Sequence, residues 1–154
     1  MDLPSVMKTA VRPLREGKRL RLRRFAPGDL VAVRSLWKAG GLDLGPSDTR
    51  REIVRSLARD PDLFIVAVEE GRVIGAVLGR FDGRRGWVNR LAVDPRARSR
   101  GVGSTLMREV ERRLRAKGCR KVNLHVARDN RAVCAFYAEL GYRRADLIFM
   151  EKWL

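Results

Sequence analysis

The feature that most constrains the fold is segment 85–117, where a strand, a glycine-containing turn and a long helix follow one another directly. RGWVNRLAV at 85–93 has the composition of a strand, and Asp94-Pro95 ends it. From 102 to 117 an apolar residue recurs every fourth position with charged residues opposite, which predicts an amphipathic helix of about 24 Å. Such a strand and helix pack face to face in an α/β domain. The recurring apolar positions are Val102, Leu106, Val110 and Leu114.

The rest of the pattern predicts the order strand, two helices, three strands, helix, strand, helix, strand. Strands and helices alternate only in the second half, so we expect a mixed sheet with parallel pairing there. The predicted strands are 19–25, 63–70, 73–81, 85–93, 121–127 and 146–154. The predicted helices run from Asp29 to Lys38, from Ser47 or Asp48 to Asp60, over 102–117 and over 130–140, with Gly141 after the last.

Length and composition limit the classes of protein to which this chain can belong. The 154 residues suit one domain at 19–154, preceded by a loose arm at 1–18 that contains two prolines. No apolar run approaches the roughly 20 residues of a membrane span. Two cysteines and one histidine make a disulfide framework and a metal site poor predictions. We therefore expect a metal-free cytoplasmic protein with no signal peptide and no membrane partner.

The net charge of +16 favours a polyanionic partner, which could be nucleic acid, an acidic membrane surface or a phosphorylated small molecule. No reading helix, RNP-like aromatic pattern or zinc module is recognisable, so nucleic acid would bind only non-specifically through charge. A nucleic-acid-associated or ribosome-associated basic protein stays as an alternative. Window 42–70 is locally acidic, with seven acidic residues and four arginines. We hypothesise that this window attracts a cationic amine, although a solvated face explains it equally well.

RSRGVGSTL at 98–106 lies between the predicted strand and the predicted helix. A strand-to-helix turn directs free backbone N–H groups outward and binds anions. Gly101 and Gly103 allow close approach of a phosphate, and Arg98 and Arg100 add charged donors. A dinucleotide fingerprint would need glycine where Leu106 stands, and no P-loop motif follows.

Two motifs together resemble a known family. LAVDPRARSRGVGSTLM at 91–107 looks like the acyl-coenzyme A binding motif of the GCN5-related N-acetyltransferases (GNAT family). DNRAVCAFYAELGY at 129–142 resembles the second signature of that family. The resemblance extends from about residue 19 to 154, and it is most detailed with the small bacterial YpeA-like acetyltransferases. It implies an α/β (α+β) fold with a mixed, mostly antiparallel sheet of six to seven strands flanked by about four helices.

The resemblance also implies the activity and the site. An amine would attack acetyl-CoA directly, the pyrophosphate would lie on the RxxGxG loop, and the pantetheine would run along the strand at 91–93. A backbone N–H near Val93 would polarise the thioester carbonyl, and Tyr137 would act as general acid. Asn130 would contact the same ligand. The implied coenzyme A residues are Leu91, Ala92, Val93, Arg98, Ser99, Arg100, Gly101, Val102, Gly103, Ser104, Asn130 and Tyr137.

Several alternatives stay open at this point. Tyr137 could be a core residue, and Asn130 could be a helix N-cap or first-turn residue. Asn89 stands where many family members carry a glutamate base, so the base could be Glu69, Glu70, Asp82 or a water chain, or the acceptor could be an amine of low pKa such as an α-amino group. A catalytically silent acyl-CoA binding module is therefore a third alternative. The acceptor could be a small cationic amine or a protein N-terminus or lysine, and a homodimer is possible.

Overall fold

The computed structural model describes residues 19–154, so the predicted arm at 1–18 lies outside the described residues. Within them the chain forms five strands and four α-helices, joined by three short 3-10 turns. The strands are β1 (Arg21–Arg24), β2 (Phe64–Glu69), β3 (Arg72–Phe81), β4 (Gly86–Val93) and β5 (Val122–Leu124). The helices are α1 (Leu30–Ala39), α2 (Arg50–Arg59), α3 (Val102–Ala116) and α4 (Arg131–Glu139).

The five strands form one sheet in the order β1-β2-β3-β4-β5. The first four are antiparallel neighbours, and β5 runs parallel to β4. The parallel pair follows the strand–helix–strand crossover through α3, as the alternating second half of the sequence predicts. The mixed, mostly antiparallel sheet and the four helices are therefore confirmed.

Both faces of β2 are buried, which explains why LFIVAV is a continuous apolar run instead of an alternating one. Its odd-numbered residues join a core with α3 and α4, and its even-numbered residues join a core with α1 and α2. The sheet thus lies between two helical layers, with α3 and α4 on one face and α1 and α2 on the other. No helix in this part of the chain is long and apolar enough to cross a bilayer.

Glycine allows α3 to lie close to the sheet. A Cβ added to Gly79 in β3 would come within 2.7 Å of Cγ2 of Val110 in α3. Val110 is fully buried and Leu63 lies on the other side of the same position, so neither neighbour has room to move. The close approach places the amphipathic face of α3 directly on β3.

A β-bulge interrupts the pairing of β3 with β4. Leu78 pairs with Arg90 and Gly79 pairs with Val88, so Asn89 is the extra residue. The bulge inverts the side-chain alternation along β4: Val88 and Leu91 both pack on the α3 side, whereas Ala92 packs with the α1 core. Arg90 consequently faces α1, where its guanidinium lies over the Trp37 ring.

The prediction of a strand at 146–154 is wrong: these residues have no regular secondary structure. Among residues 19–154 the sheet therefore has five strands, and the expected six to seven are not found. High β-propensity needs a ladder partner to become a strand, and none pairs with this segment. The strand predicted at 121–127 is also shorter, at Val122–Leu124. Thr49, and not Ser47 or Asp48, is the N-cap of α2.

Candidate active site

The first element of the site is the exposed edge of β4. β4 and β5 pair only from Gly86 with Val122 to Val88 with Leu124. Beyond Val88 the chain of β4 continues to Val93, while β5 ends at Leu124. Among the described residues this half of β4 therefore has no strand neighbour on the β5 side. An extended ligand with amide groups can pair with such an edge as an added strand. Leu91, Ala92 and Val93 lie on this stretch.

The second element is the N-terminus of α3, which begins just beyond that edge. Gly101 is the N-cap with a left-handed φ of 78°, and no atom lies within 4 Å of where its Cβ would be. The first N–H groups of a helix have no intrahelical acceptor, so those of Val102, Gly103 and Ser104 are directed along the axis beyond the N-terminus of α3. Their aligned dipoles favour an anion here.

The turn before α3 is held in an unusual conformation. Ser99 has a φ of 60°, one of two non-glycine residues with positive φ among residues 19–154. Arg98 is exposed and has no hydrogen-bond or ion-pair partner in the described chain. Arg100 instead forms a two-point ion pair with Glu69, with Nη1 3.2 Å from Oε1 and a second contact between Nη2 and Oε2. Of the two predicted phosphate-binding arginines, only Arg98 has an unengaged guanidinium.

A third element, α4, packs against the start of α3 through Gly103. A Cβ at Gly103 would lie 3.3 Å from Cζ of Phe136 in α4 and 3.6 Å from Cγ2 of Val93 in β4. The contact brings α3, α4 and the end of β4 together. Tyr137 follows Phe136 in the sequence and belongs to the same core, with Leu91 and Val93 packed against it. The structure therefore groups the predicted catalytic tyrosine with the predicted cofactor strand.

Tyr137 is 9% exposed, and burial raises the pKa of its phenol to about 12. Its ring makes edge contacts with the rings of Phe136 and Tyr142, at centroid distances of 5.1 and 5.6 Å. The hydroxyl of Tyr142 donates to Glu111 at 2.7 Å, whereas that of Tyr137 has no partner among the described residues. Nor is the Tyr137 hydroxyl a fully enclosed atom. With its pKa raised, Tyr137 is a protonated donor at neutral pH.

Asn130 is the N-cap of α4, and its Oδ1 accepts the Val133 N–H at 3.2 Å. The N-cap alternative for this residue is confirmed. Its side-chain amide nitrogen remains available. Tyr137 lies seven positions after Asn130, which corresponds to about 10 Å along the helix axis. A contact between Asn130 and coenzyme A therefore stays a prediction.

Sequence reasoning missed an arginine on the opposite face of β4. The guanidinium of Arg90 lies 4.9 Å from the centroid of the Trp37 ring and donates to Asp48 at 2.5 Å and to the Asp43 carbonyl at 2.9 Å. These contacts tie the loop between α1 and α2 to the strand beside the bulge. Only the Asn89 bulge, invisible in the sequence, turns Arg90 to this side.

Ion pairs within the protein neutralise much of the negative charge of window 42–70. Asp48 is buried and bound to Arg90, and Asp62 pairs with Lys117 at 3.0 Å. Glu52 lies near Arg55, and Glu69 pairs with Arg100. Of the three carboxylates nearest the loop between α1 and α2, Asp43 alone has no ion-pair partner among the described residues. Most of the negative charge in the window is thus already used inside the protein.

Three carboxylates, those of Glu69, Glu70 and Asp82, are the side-chain candidates for a general base. Glu69 is the last residue of β2 and contacts Arg100 in the turn before α3. Asn89 lies four residues before Val93, about 13 Å along β4. Glu70 follows Glu69 in the β2–β3 turn. Asp82 accepts the N–H groups of Arg84 and Arg85, which hold the pKa of its carboxyl below its usual value. Asn89 itself is exposed.

In the described part of the chain no three metal-ligating side chains lie together, and both cysteines are free thiols. The donors described above are backbone N–H groups, a phenol and arginine. Such donors suit a phosphorylated ligand with an amide-containing arm, because the N-terminus of α3 is cationic and the β4 edge can pair with amides.

Comparison with known proteins agrees with this chemistry. The acetyltransferase (GNAT) family profile matches residues 30–142. A protein of Pectobacterium atrosepticum named as an acetyltransferase is 39% identical over 135 residues, which are 88% of this chain and 96% of that protein. An acetyltransferase of Yersinia enterocolitica is 38% identical over the same shares of the two chains. The chain belongs to the GNAT family of acetyltransferases.

Solved structures show the same fold. Ard1 from Thermoplasma volcanium superposes with a TM-score of 0.72 at 28% identity, covering 79% of this chain and 81% of that one. The PaiA N-acetyltransferase from Thermoplasma acidophilum, solved in complex with coenzyme A, has a TM-score of 0.73 at 21% identity. That alignment covers 84% of this chain and 93% of the other.

Proposed function

We propose that this protein transfers the acetyl group of acetyl-CoA to a primary amine by direct attack. The observation that carries the proposal is the continuity of the β4 edge with the N-terminus of α3. One extended ligand with an amide-containing arm and a pyrophosphate fits both elements at once. The relatives named as acetyltransferases support the same reaction class.

In this proposal each predicted site residue has a role. The backbone at Leu91, Ala92 and Val93 pairs with the pantetheine arm. The N–H groups from Arg98 to Ser104 bind the pyrophosphate, and the unengaged guanidinium of Arg98 adds charge. Arg100 contributes its main-chain N–H while its side chain stays on Glu69. Asn130 contacts the cofactor through the amide nitrogen that does not cap α4.

The chemical step assigns the protons as follows. The neutral amine nitrogen attacks the thioester carbon, and a backbone N–H near Val93 stabilises the oxyanion that forms. The C–S bond then breaks, and the hydroxyl of Tyr137 gives its proton to the departing thiolate. A phenol with a pKa of about 12 is a weak acid toward a thiol of pKa about 8.5, but the same enclosure raises the basicity of the thiolate. After the C–N bond forms, the nitrogen gives its proton to solvent, since Asn89 cannot accept it, and solvent returns a proton to the Tyr137 phenolate.

The acceptor in this proposal is a small cationic amine or the N-terminus or lysine of a protein. The loop between α1 and α2, tied down by Arg90, forms the acceptor wall. Asp43 supplies the remaining carboxylate there. Because the other acidic side chains named above are paired, we expect a weak preference for cations from charge alone.

A matched pair of variants at Gly101 tests the cofactor site. Asparagine and aspartate both tolerate a left-handed φ, and both side chains would enter the open space, but only aspartate adds negative charge. We expect acetyl-CoA at a hundredfold excess over its dissociation constant to raise the wild-type Tm by about 5 °C or more. Gly101→Asn should keep part of this rise, and Gly101→Asp should lose it.

Turnover is then measured as thiol release from acetyl-CoA with a panel of polyamines, aminoglycosides and peptides. Equal Tm rises in both Gly101 variants would show that no anion lies at α3. Binding without thiol release for any amine would favour a silent acyl-CoA binding module. Loss of nucleic acid retention in moderate salt would separate charge-driven association from cofactor binding.

A further inference from the structure

The end of the molecule opposite the candidate active site carries unpaired positive charge. β4 and β5 run parallel and α3 connects them, so the C-terminus of α3 lies at the end where both strands begin. α3 has 15 residues, which places this end about 22 Å from the anion-binding turn. Five cationic side chains here, which we call the basic patch, have no side-chain hydrogen bond or ion pair among residues 19–154. They are Arg84, Arg85, Arg115, Arg120 and Lys121.

The three elements that carry the basic patch are in direct contact. The N–H of Gly86, the residue after Arg85, donates to the Lys121 carbonyl at 2.9 Å. A Cβ added to Gly86 would lie 3.0 Å from Cδ1 of Leu114, the residue before Arg115. The turn before β4, the last turn of α3 and the approach to β5 therefore bring the five cations to one end of the molecule.

The acidic side chains at this end do not neutralise the basic patch. Asp62 pairs with Lys117 at 3.0 Å, and Asp60 is only 5% exposed. Asp82 is the carboxylate of the turn before β4, and it accepts two N–H groups of that turn. A helix C-terminus favours a cation and thus accounts for Arg115, but the other four cations lie outside any helix. Like charges held together repel each other, and a bound polyanion removes that cost.

Aromatic rings lie beside the basic patch. Trp87 follows Arg85 by two positions, and its ring centroid lies 5.6 Å from that of His125, the residue after β5. The ring of Phe149 lies 4.5 Å from that of His125 on a further contact. His125 is exposed and Trp87 is half-buried, and the indole N–H of Trp87 donates to Asp82 at 3.4 Å, which fixes the ring. The patch therefore adjoins a row of rings with accessible surface.

We propose that this end binds single-stranded nucleic acid, with phosphates on the basic patch and bases stacked on the rings of Trp87 and His125. Four of the five cations are arginines, whose guanidinium forks match phosphate oxygens. Stacking tolerates any base, so the site needs no sequence-reading motif, and none is recognisable in the chain. A lipid surface takes rings that project from the protein, whereas Trp87 lies within a strand of the sheet. The site is additional to acetyl transfer and does not depend on it.

Fluorescence anisotropy of a labelled oligouridine of about 12 nucleotides, titrated with the full chain between about 50 and 300 mM NaCl, tests the proposal. Five neutralised phosphates predict that log Kd rises with log salt with a slope of about 3.5. Arg120→Ser/Lys121→Ser should lower this slope by about 1.4 and weaken binding at least tenfold at about 0.1 M salt. Arg12→Ser/Arg15→Ser removes the same charge from segment 1–18 and should leave Kd within threefold of the wild type.

His125→Ala separates stacking from charge. It should weaken oligouridine binding about fivefold while the salt slope stays that of the wild type, because stacking releases no counterions. Its circular dichroism should match the wild type, since the His125 side chain is exposed. Acetyl-CoA at about 1 mM should change the Kd of the oligonucleotide less than twofold, because the two sites lie at opposite ends of α3.

Four results would overturn the proposal. Equal losses in the two double variants would show that net charge alone binds the oligonucleotide. A duplex of about 12 base pairs that binds as tightly as the single strand would exclude stacking. Competition by acetyl-CoA would place the oligonucleotide on the turn before α3. Retention on phosphatidylserine vesicles without oligouridine binding would assign the basic patch to a membrane surface.

Discussion

Arg100 and Glu69 form an ion pair that joins the turn before α3 to the end of β2. The carboxylate is nearly buried, with 6% of its side chain exposed, whereas 43% of the arginine side chain reaches solvent. The pair spans 31 positions in the sequence and fixes the residue between Ser99 and Gly101, both of which have positive φ. Glu69 thereby acts as a tether for the anion-binding turn.

We predict that Glu69→Gln weakens acetyl-CoA binding about tenfold and lowers the free energy of unfolding by about 1 kcal/mol. Without the tether the turn loses the conformation that directs its N–H groups outward. Isothermal titration calorimetry and chemical denaturation measure the two effects. Tighter binding in Glu69→Gln would contradict the tether and show that Arg100, once released, binds phosphate itself.

Tyr137→Phe should lower kcat about 100-fold or more while leaving acetyl-CoA affinity within threefold of the wild type. The change removes only the donor hydroxyl, which has no partner in the described chain, so the core around the ring is kept. Because the pKa of Tyr137 is about 12, its ionisation should give no loss of activity below pH 11. Thiol release with the best amine of the panel, followed from pH 6 to 10, measures both. An unchanged kcat would show that Tyr137 has only a structural role in the core.

Gly79→Ala should lower the free energy of unfolding by about 1–3 kcal/mol, because the new methyl would lie 2.7 Å from Val110. Val110→Ala opens space at the same place at its own cost. The double variant should be more stable than the sum of the two single effects predicts, by at least about 0.5 kcal/mol. Urea denaturation of the four proteins completes the cycle. Strict additivity would mean that α3 shifts away from the sheet instead.

Glu109 should contribute stability that disappears in acid. Its hydrogen bonds to Arg112, and then to Arg113, lower the pKa of this carboxyl to about 2 from an ordinary value of about 4.5. The contribution is therefore complete above about pH 4.5 and is lost as pH falls toward 2. Glu109→Gln should be about 1 kcal/mol less stable than the wild type at pH 7, with the difference shrinking below pH 4.5. A difference that stays constant from pH 7 to 3.5 would exclude the linkage.

The sequence predicted the helices and most of the sheet because their signals are local. The four-residue apolar repeat of α3, the strand-forming segments at 63–70 and 73–81 and the two family motifs each lie within a short stretch of chain. What escaped prediction depends on contacts between distant residues. The engagement of Arg100 needs the end of β2 beside the turn, and the Arg90 contacts need the loop between α1 and α2. Segment 146–154 has strand-forming residues but pairs with no strand among residues 19–154.

Asn89 is an extra residue in β4, and it shifts the side-chain alternation of all later residues of the strand by one position. Side chains before and after the bulge therefore follow opposite alternations relative to the two faces of the sheet. Deleting Asn89 would send Leu91 and Val93 to the α1 layer and Arg90 into the apolar α3 layer. The faces on which the side chains of β4 lie thus depend on the number of residues in the strand. They depend less on which residue stands at position 89.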